Sequence, residues 1–332
     1  MILLVETEVH FPTDINLLFD AIKKVIVLIA RVCVEVGVST WRQSAYNIRE
    51  IKKLYRKILK IKRSKPKDEK KKEERDKLII EAYRAYCDLV ESFFEKAKGT
   101  LSFLLERNWI EAVNTYDIIY YMGHAERQLD QIRRRVIDGQ TIPHEEKVFS
   151  IFEEHTEWIA KGKAGVPQEL GLRVCVIEDQ FKFILHHGVM QKTTDDKVAV
   201  HMVEKAKGMF PDLNSCSFDK GFYSPANKIE LAKILDNVIL PKKGRLTIEE
   251  RSNECSEDFL QGKRKHSAVE SGINALENHG LDRCPDHAIT GFRRYVALAV
   301  LARNLQNLGN IIQQKKIRKL KRATLTKFRL AS

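Results

Sequence analysis

Ser217-Phe218-Asp219-Lys220-Gly221-Phe222-Tyr223 is the stretch on which the reading of the fold turns. Residues 214–218 read as a short strand, so Asp219 falls at its C-terminal end, and Gly221 follows two residues later to turn the chain. Carboxylates at the C-terminal ends of strands in open α/β sheets face the crevice where such proteins hold their ligands. A single strand-end aspartate also serves as a plain turn or cap residue, so a functional reading requires a second acid nearby.

Working outward, the pattern on both sides is α/β. Downstream come a helix over 225–235, a strand over 238–240 that ends at Pro241, a helix containing 269–276, and a long helix over 291–314. Upstream lie a helix over 197–210 and three short β-branched or aromatic runs at 148–152, 173–177 and 181–189, bounded by Gly and Pro. The first ten residues also read as a strand, with Val5, Thr7 and Val9 on one face and the Pro12-Thr13-Asp14 turn after it. From there to about Asp138 the periodicity is helical. Val25, Leu28, Ile29, Val32 and Val36 recur at helix spacing, and 42–63 is strongly basic. Residues 64–77 read as a solvated connection, and near-heptad stripes over 83–104 and 118–136 read as a helical hairpin. The expected fold class is therefore α/β: a mixed sheet with a large all-α insertion after the first strand and a C-terminal helix. The expected parts are 1–14 (first strand of the core), 15–143 (basic helical insertion), 144–314 (remainder of the core) and 315–332 (basic tail).

Lys and Arg total 58 against 45 Asp and Glu, a formal charge of +13 and a pI near 9.3. Such a surplus points toward a polyanion, because cations that neutralise phosphates release condensed counterions. The 6 cysteines form no Cys-x-x-Cys pair, which suits reduced thiols in a cytoplasmic protein. Cys284-Pro-Asp-His287 is half of a zinc site without a second half at ligand spacing. No secretory signal or membrane span is expected, since the apolar run at 25–38 is short and interrupted by Arg31 and Glu35.

The acid expected to partner Asp219 is Glu270, in Lys263-Arg264-Lys265-His266-Ser267-Ala268-Val269-Glu270-Ser271. A basic run here leads into an apolar helix, with Glu270 one turn beyond His266. Taken alone it reads as an ordinary exposed glutamate. Paired with Asp219 it offers hard oxygen ligands for Mg²⁺ or Mn²⁺, with bases at hand for the phosphate. Two such ions about 3.5–4 Å apart activate the attacking oxygen and stabilise the leaving one in phosphodiester transfer.

These residues carry a family resemblance. Val5-Glu6-Thr7 with His10-Phe11-Pro12-Thr13-Asp14 resembles the segment just after the first catalytic aspartate of bacterial DDE-type insertion-sequence transposases. Glu154-His155-Thr156-Glu157-Trp158, Lys161-Gly162-Lys163, Asp219-Lys220-Gly221-Phe222, Pro241-Lys242-Lys243-Gly244, 265–271 and Ala302-Arg303-Asn304-Leu305 are similar to further blocks in the same order. The resemblance spans about Glu6 to Leu308 and is thin across the helical insertion. It implies an RNase H-like catalytic domain, three acids binding two Mg²⁺ or Mn²⁺ ions, and strand cleavage and transfer at element ends. Asp219 would be the second acid and Glu270 the third. Arg264, Lys265 and His266, with Lys163 and Lys243, would contact double-stranded DNA, and a homodimer is a compatible state. The first acid would fall on Met1 or just before it, so a truncated copy with reduced or no activity is expected. The alternative is a catalytically inactive DNA-binding remnant.

Overall fold

The computed structural model describes residues 1–110, 112–160, 168–267 and 269–330, with the side chains at 112–114, 267, 269–270 and 323–330 excepted. The chain divides into two compact units, one formed by 1–9 with 155–332 and the other by 10–154.

Strand β1 (Ile2–Thr7) buries Leu3, Val5 and Thr7 and leaves the alternate residues partly exposed, the period of two expected of a strand. The chain then enters the helical unit. Helix α1 (Asp14–Glu35) is capped by Thr13, whose hydroxyl accepts from the Asn16 amide, and buries Leu18, Ile22, Val25, Ile29 and Val32. Helix α2 (Ser44–Arg63) fully buries only Ile51 and Ile58 and shows its cations to solvent. Helix α3 (Glu69–Glu106) starts well inside the segment expected to be a connection. Asp68 caps it, a Glu69–Lys72 pair supports its first turn, and that turn is helical although almost nothing in it is buried. The low apolar content there marks exposure rather than the lack of a helix. Helix α4 (Ala112–Ile132) continues into a π-turn at Arg133–Ile137.

The core of this unit is closed by large side chains with satisfied polar ends. Buried Trp41 donates from Nε1 to Thr100 Oγ1 at 3.0 Å, and the buried Tyr86 hydroxyl donates to the Ile15 carbonyl at 3.1 Å. Arg135 pairs with Asp14, and Lys62 donates to the Tyr83 hydroxyl at 3.1 Å. Residues 148–152 do not form the expected strand. The Ser150 hydroxyl accepts from the Phe152 and Glu153 amides, making a local turn, and Ile151 is buried in the helical core. An apolar run of that length fits a core-filling loop as well as a strand.

In the other unit, β2 (Glu157–Ala160), β3 (Gln168–Glu178) and β4 (Ile184–Met190) join β1 in a mixed sheet. β1 runs antiparallel to β3, with Ile2 opposite Cys175 and Glu6 opposite Gly171, and β3 runs antiparallel to β2 and β4. Helix α5 (Asp195–Met209) leads to β5 (Ser215–Ser217), and α6 (Pro225–Ile234) crosses over to β6 (Asn237–Ile239), which pairs parallel with β5 as a separate two-stranded sheet. Helices α7 (Ile248–Glu254), α8 (Glu257–Ser267) and α9 (Val269–Leu276) follow. The two-residue β7 (Arg283–Cys284) then pairs parallel with β1, ahead of α10 (Ala288–Leu330).

β3 explains the layering. Leu172, Val174 and Val176 bury against Phe292, Val296 and Val300 of α10 on one face. Cys175 faces the other way, toward Met202 and Val203 of α5 and Leu231 of α6. Helices thus cover both faces of the mixed sheet, an α/β arrangement. The segment beyond 314 continues as helix, with Lys315 through Arg322 exposed on it. No described helix is long and apolar enough to cross a membrane.

Candidate active site at the end of strand β5

Asp219 follows β5 after Phe218 and takes the N-cap position of a single 3₁₀ turn, Lys220–Phe222. Three contacts fix that turn. The Phe218 amide donates to the Ile239 carbonyl at 2.9 Å, which continues the β5–β6 pairing past the strand end. The Asn227 side chain donates to the carbonyls of Phe222 and Asp196 at 2.8 and 2.7 Å, tying the turn to the start of α5. Gly221 lies so close to Asp195 that a Cβ there would meet its Oδ2 at 2.8 Å. Asp195 is itself held by Arg173 of β3, with Nη1 to Oδ1 at 2.8 Å. Glycine at 221 thus allows a close approach, in addition to the turn read from the sequence.

Helix α8 brings the second group. It crosses β6 at Gly262, where a Cβ would stand 2.2 Å from Ile239 Cδ1, so any larger residue would have to push the Ile239 side chain aside. One turn later His266 reaches the end of β5. Its Nε2 lies 2.9 Å from Asp219 Oδ1 and its Nδ1 3.0 Å from Ser217 Oγ. The donor order follows from the chemistry of the groups. An ionised carboxylate only accepts, so Nε2 carries the proton. With the imidazole neutral, Nδ1 accepts and the Ser217 hydroxyl donates. The result is a directed chain from Ser217 through His266 to Asp219, with the histidine largely buried and the carboxylate 62% exposed.

The His266 hydrogen bond is the main cause that holds the Asp219 carboxyl below its ordinary range, against the opposing effect of burial. A lowered carboxyl pKa stabilises the fold above the ordinary carboxylate range, and that contribution is lost as pH falls through the folded-state value. Replacing His266 by alanine is expected to raise the Asp219 midpoint toward the ordinary aspartate value. The carboxyl ¹³C shift followed through an acid titration reads this directly, and an unmoved midpoint would show that the hydrogen bond does not set it.

Asp219 and His266 are the two expected site residues that the fold joins. Arg264 and Lys265 are exposed on the last turn of α8, and Lys243 is exposed in the loop after β6, with no hydrogen bond to Asp219 or His266 among the described residues. Glu270 is the second residue of α9, and its side chain is outside the described ones, as is Lys163 entirely. Among the described residues no group of three or more His, Cys, Asp or Glu could hold a metal ion. Cys284 is buried, with its thiol directed to the Asp286 carbonyl at 3.8 Å.

Two residues escaped the reading of the sequence. Ser217 was visible only as a strand residue, because its role depends on a histidine 49 positions away. Glu178, at the C-terminal end of β3, puts Oε2 2.5 Å from where a Cβ of Gly272 on α9 would stand, beside the turn that carries Glu270. Burial pushes its carboxyl upward, opposed by Arg303 and Lys182. An acid directly after the apolar run 174–177 was the one signal available. Comparison of the chain with protein-family models, curated proteins and solved structures gives no match.

Proposed function

We propose that this chain is the catalytic part of a metal-dependent DNA strand transferase of the DDE insertion-sequence kind, built on an RNase H-like core. The observation that carries the reading is Asp219, presented at a strand end by a histidine from the basic helix that precedes α9 and Glu270. Further support comes from the order of elements: three antiparallel strands (β1, β3, β4), a helix, then the parallel pair β5 and β6 joined through α6.

The donor chemistry fits a hard divalent cation. Asp219 is held ionised, one oxygen is taken by His266, and Oδ2 has no partner among the described residues. Asp219 and Glu270 would hold Mg²⁺ or Mn²⁺, which supplies activation of the attacking oxygen and stabilisation of the leaving one. The chain's own contribution is orientation. His266 fixes the carboxylate plane, and Ser217 fixes the imidazole. Arg264 and Lys265, on the same turn as His266, offer cations to the phosphates that flank the reacting one. In the helical unit, the exposed cations of α2, among them Arg49, Lys52, Arg56, Lys60 and Arg63, form a face suited to duplex phosphates.

The test is Mn²⁺-dependent cleavage of duplex DNA by the protein and by its Glu270→Ala variant, at low and at high salt. Any cleavage by the parent chain is expected to fall about 100-fold or more in the variant, with binding that weakens steeply as salt rises. Equal cleavage by both proteins would remove Glu270 from the site. Absence of both cleavage and salt-dependent binding in the parent chain would end the reading altogether.

A further inference from the structure

The chain from Ser217 through His266 to Asp219 holds a serine hydroxyl against a base. Ser217 Oγ lies 3.0 Å from His266 Nδ1, and the other ring nitrogen lies 2.9 Å from Asp219 Oδ1. In the neutral ring with its proton on Nε2, Nδ1 turns a lone pair toward the hydroxyl. A hydroxyl becomes a nucleophile when a base stands within hydrogen-bond reach and a third group orients that base. Such a constellation is recognised by geometry and roles rather than by order along the chain. Here each part is held by a different contact. Ser217 is fixed opposite Ile239 in the β5–β6 ladder, His266 stands on the last turn of α8, and the Asp219 turn is tied down by Asn227. Ser217 is partly exposed and Asp219 is 62% exposed, so a substrate can reach the hydroxyl from solvent.

We infer that Ser217 is the nucleophile of a metal-independent acyl transfer, with His266 as its general base and Asp219 positioning the imidazole. This activity does not rest on the strand-transfer reading and uses neither Glu270 nor a divalent cation. The rim of the site sets the substrate class. Lys220 follows Asp219 directly, Arg264 and Lys265 share the last turn of α8 with His266, and all three are exposed. Such a rim favours a carboxylic ester that carries a negative charge. Ser217 Oγ adds to the ester carbonyl carbon as its proton passes to His266 Nδ1. The ring then holds a proton on each nitrogen, and the Asp219 carboxylate stabilises that cation. The bond to the leaving oxygen breaks, the Nδ1 proton goes to that oxygen, and an alcohol departs. Water then attacks the acyl-serine by the same route, releasing the carboxylic acid and restoring the hydroxyl.

The probe is the para-nitrophenyl monoester of succinic acid, given to the full chain in EDTA. Hydrolysis is expected to fall at least about 100-fold in Ser217→Ala and in His266→Ala. Parent protein quenched during the first turnover should carry the acyl group on Ser217. Imidazole added to the solution should restore part of the rate to His266→Ala and none to Ser217→Ala, a response that a purely structural histidine would not give. Asp219→Ala should lower kcat while leaving KM unchanged, because it frees the ring without touching the ester. Uncharged para-nitrophenyl acetate should show the higher KM. A parent chain no faster than Ser217→Ala would overturn the proposal, as would an acyl group found on the exposed Cys255 or on a lysine instead. EDTA keeps the two readings apart: hydrolysis that persists without Mn²⁺-dependent DNA cleavage supports this activity alone, and cleavage without hydrolysis overturns it alone.

Discussion

Asp219→Asn is expected to abolish Mn²⁺-dependent DNA cleavage, with a loss of about 100-fold or more, while leaving fold and DNA binding in place. The substitution separates ligand charge from geometry. Asparagine keeps a carbonyl oxygen where Asp219 Oδ1 now accepts from His266, 2.9 Å away, so the chain from Ser217 can persist. What it removes is the negative charge that a hard cation requires. Asp219 is 62% exposed, so its loss costs little packing, and thermal unfolding should barely move. Cleavage that persists in Asp219→Asn at parental rate would show that the chemistry lies elsewhere, whatever the state of the fold. His266→Ala forms a useful contrast. It leaves the charge and frees its orientation, so its effect should be smaller and should fall on rate more than on DNA affinity.

Gly171→Ala is expected to be the most damaging single methyl in the sheet, costing about 3 kcal/mol or more. A Cβ at this position would stand 2.1 Å from the Val5 carbonyl oxygen and 2.8 Å from Glu6 Cα. Both obstacles are backbone, so no rotamer change can relieve the clash. Position 171 also lies where β3 is paired on both edges, opposite Glu6 of β1 and Glu157 of β2, so relief requires shifting one of two ladders. Gly99→Ala, whose Cβ would meet nothing within 4 Å in the middle of α3, is the matched control and should stabilise by about 0.5–1 kcal/mol. Urea denaturation of the two variants checks the pair, and equal midpoints would show that β1 is not held against β3 as described.

Local pattern carried much of the fold. The apolar repeat of α1, the strands around 173–177 and 181–189, the α6 segment and the strand ahead of Asp219 each hold enough period in a few residues to declare themselves. Where pattern failed, a longer-range cause decided. The run at 148–152 is apolar because Ile151 fills the helical core, not because it pairs with a strand. The start of α3 is polar because it is exposed, and its cap at Asp68 rather than its hydrophobicity defines it. β7 has two residues and exists only because β1 offers it an edge.

The site divides in the same way. Sequence by itself singled out Asp219, as an acid at a strand end followed by a turn glycine, and placed His266 in a basic run ahead of an apolar helix. Both are local facts, set by residue type and by the period of the backbone. That the two meet, that Ser217 directs the imidazole, and that Gly262 lets α8 cross β6 closely enough to bring them together were decided only by the tertiary structure. The contacts concerned join residues 47 and 49 positions apart, and no local periodicity encodes which helix face will come to rest on which strand end.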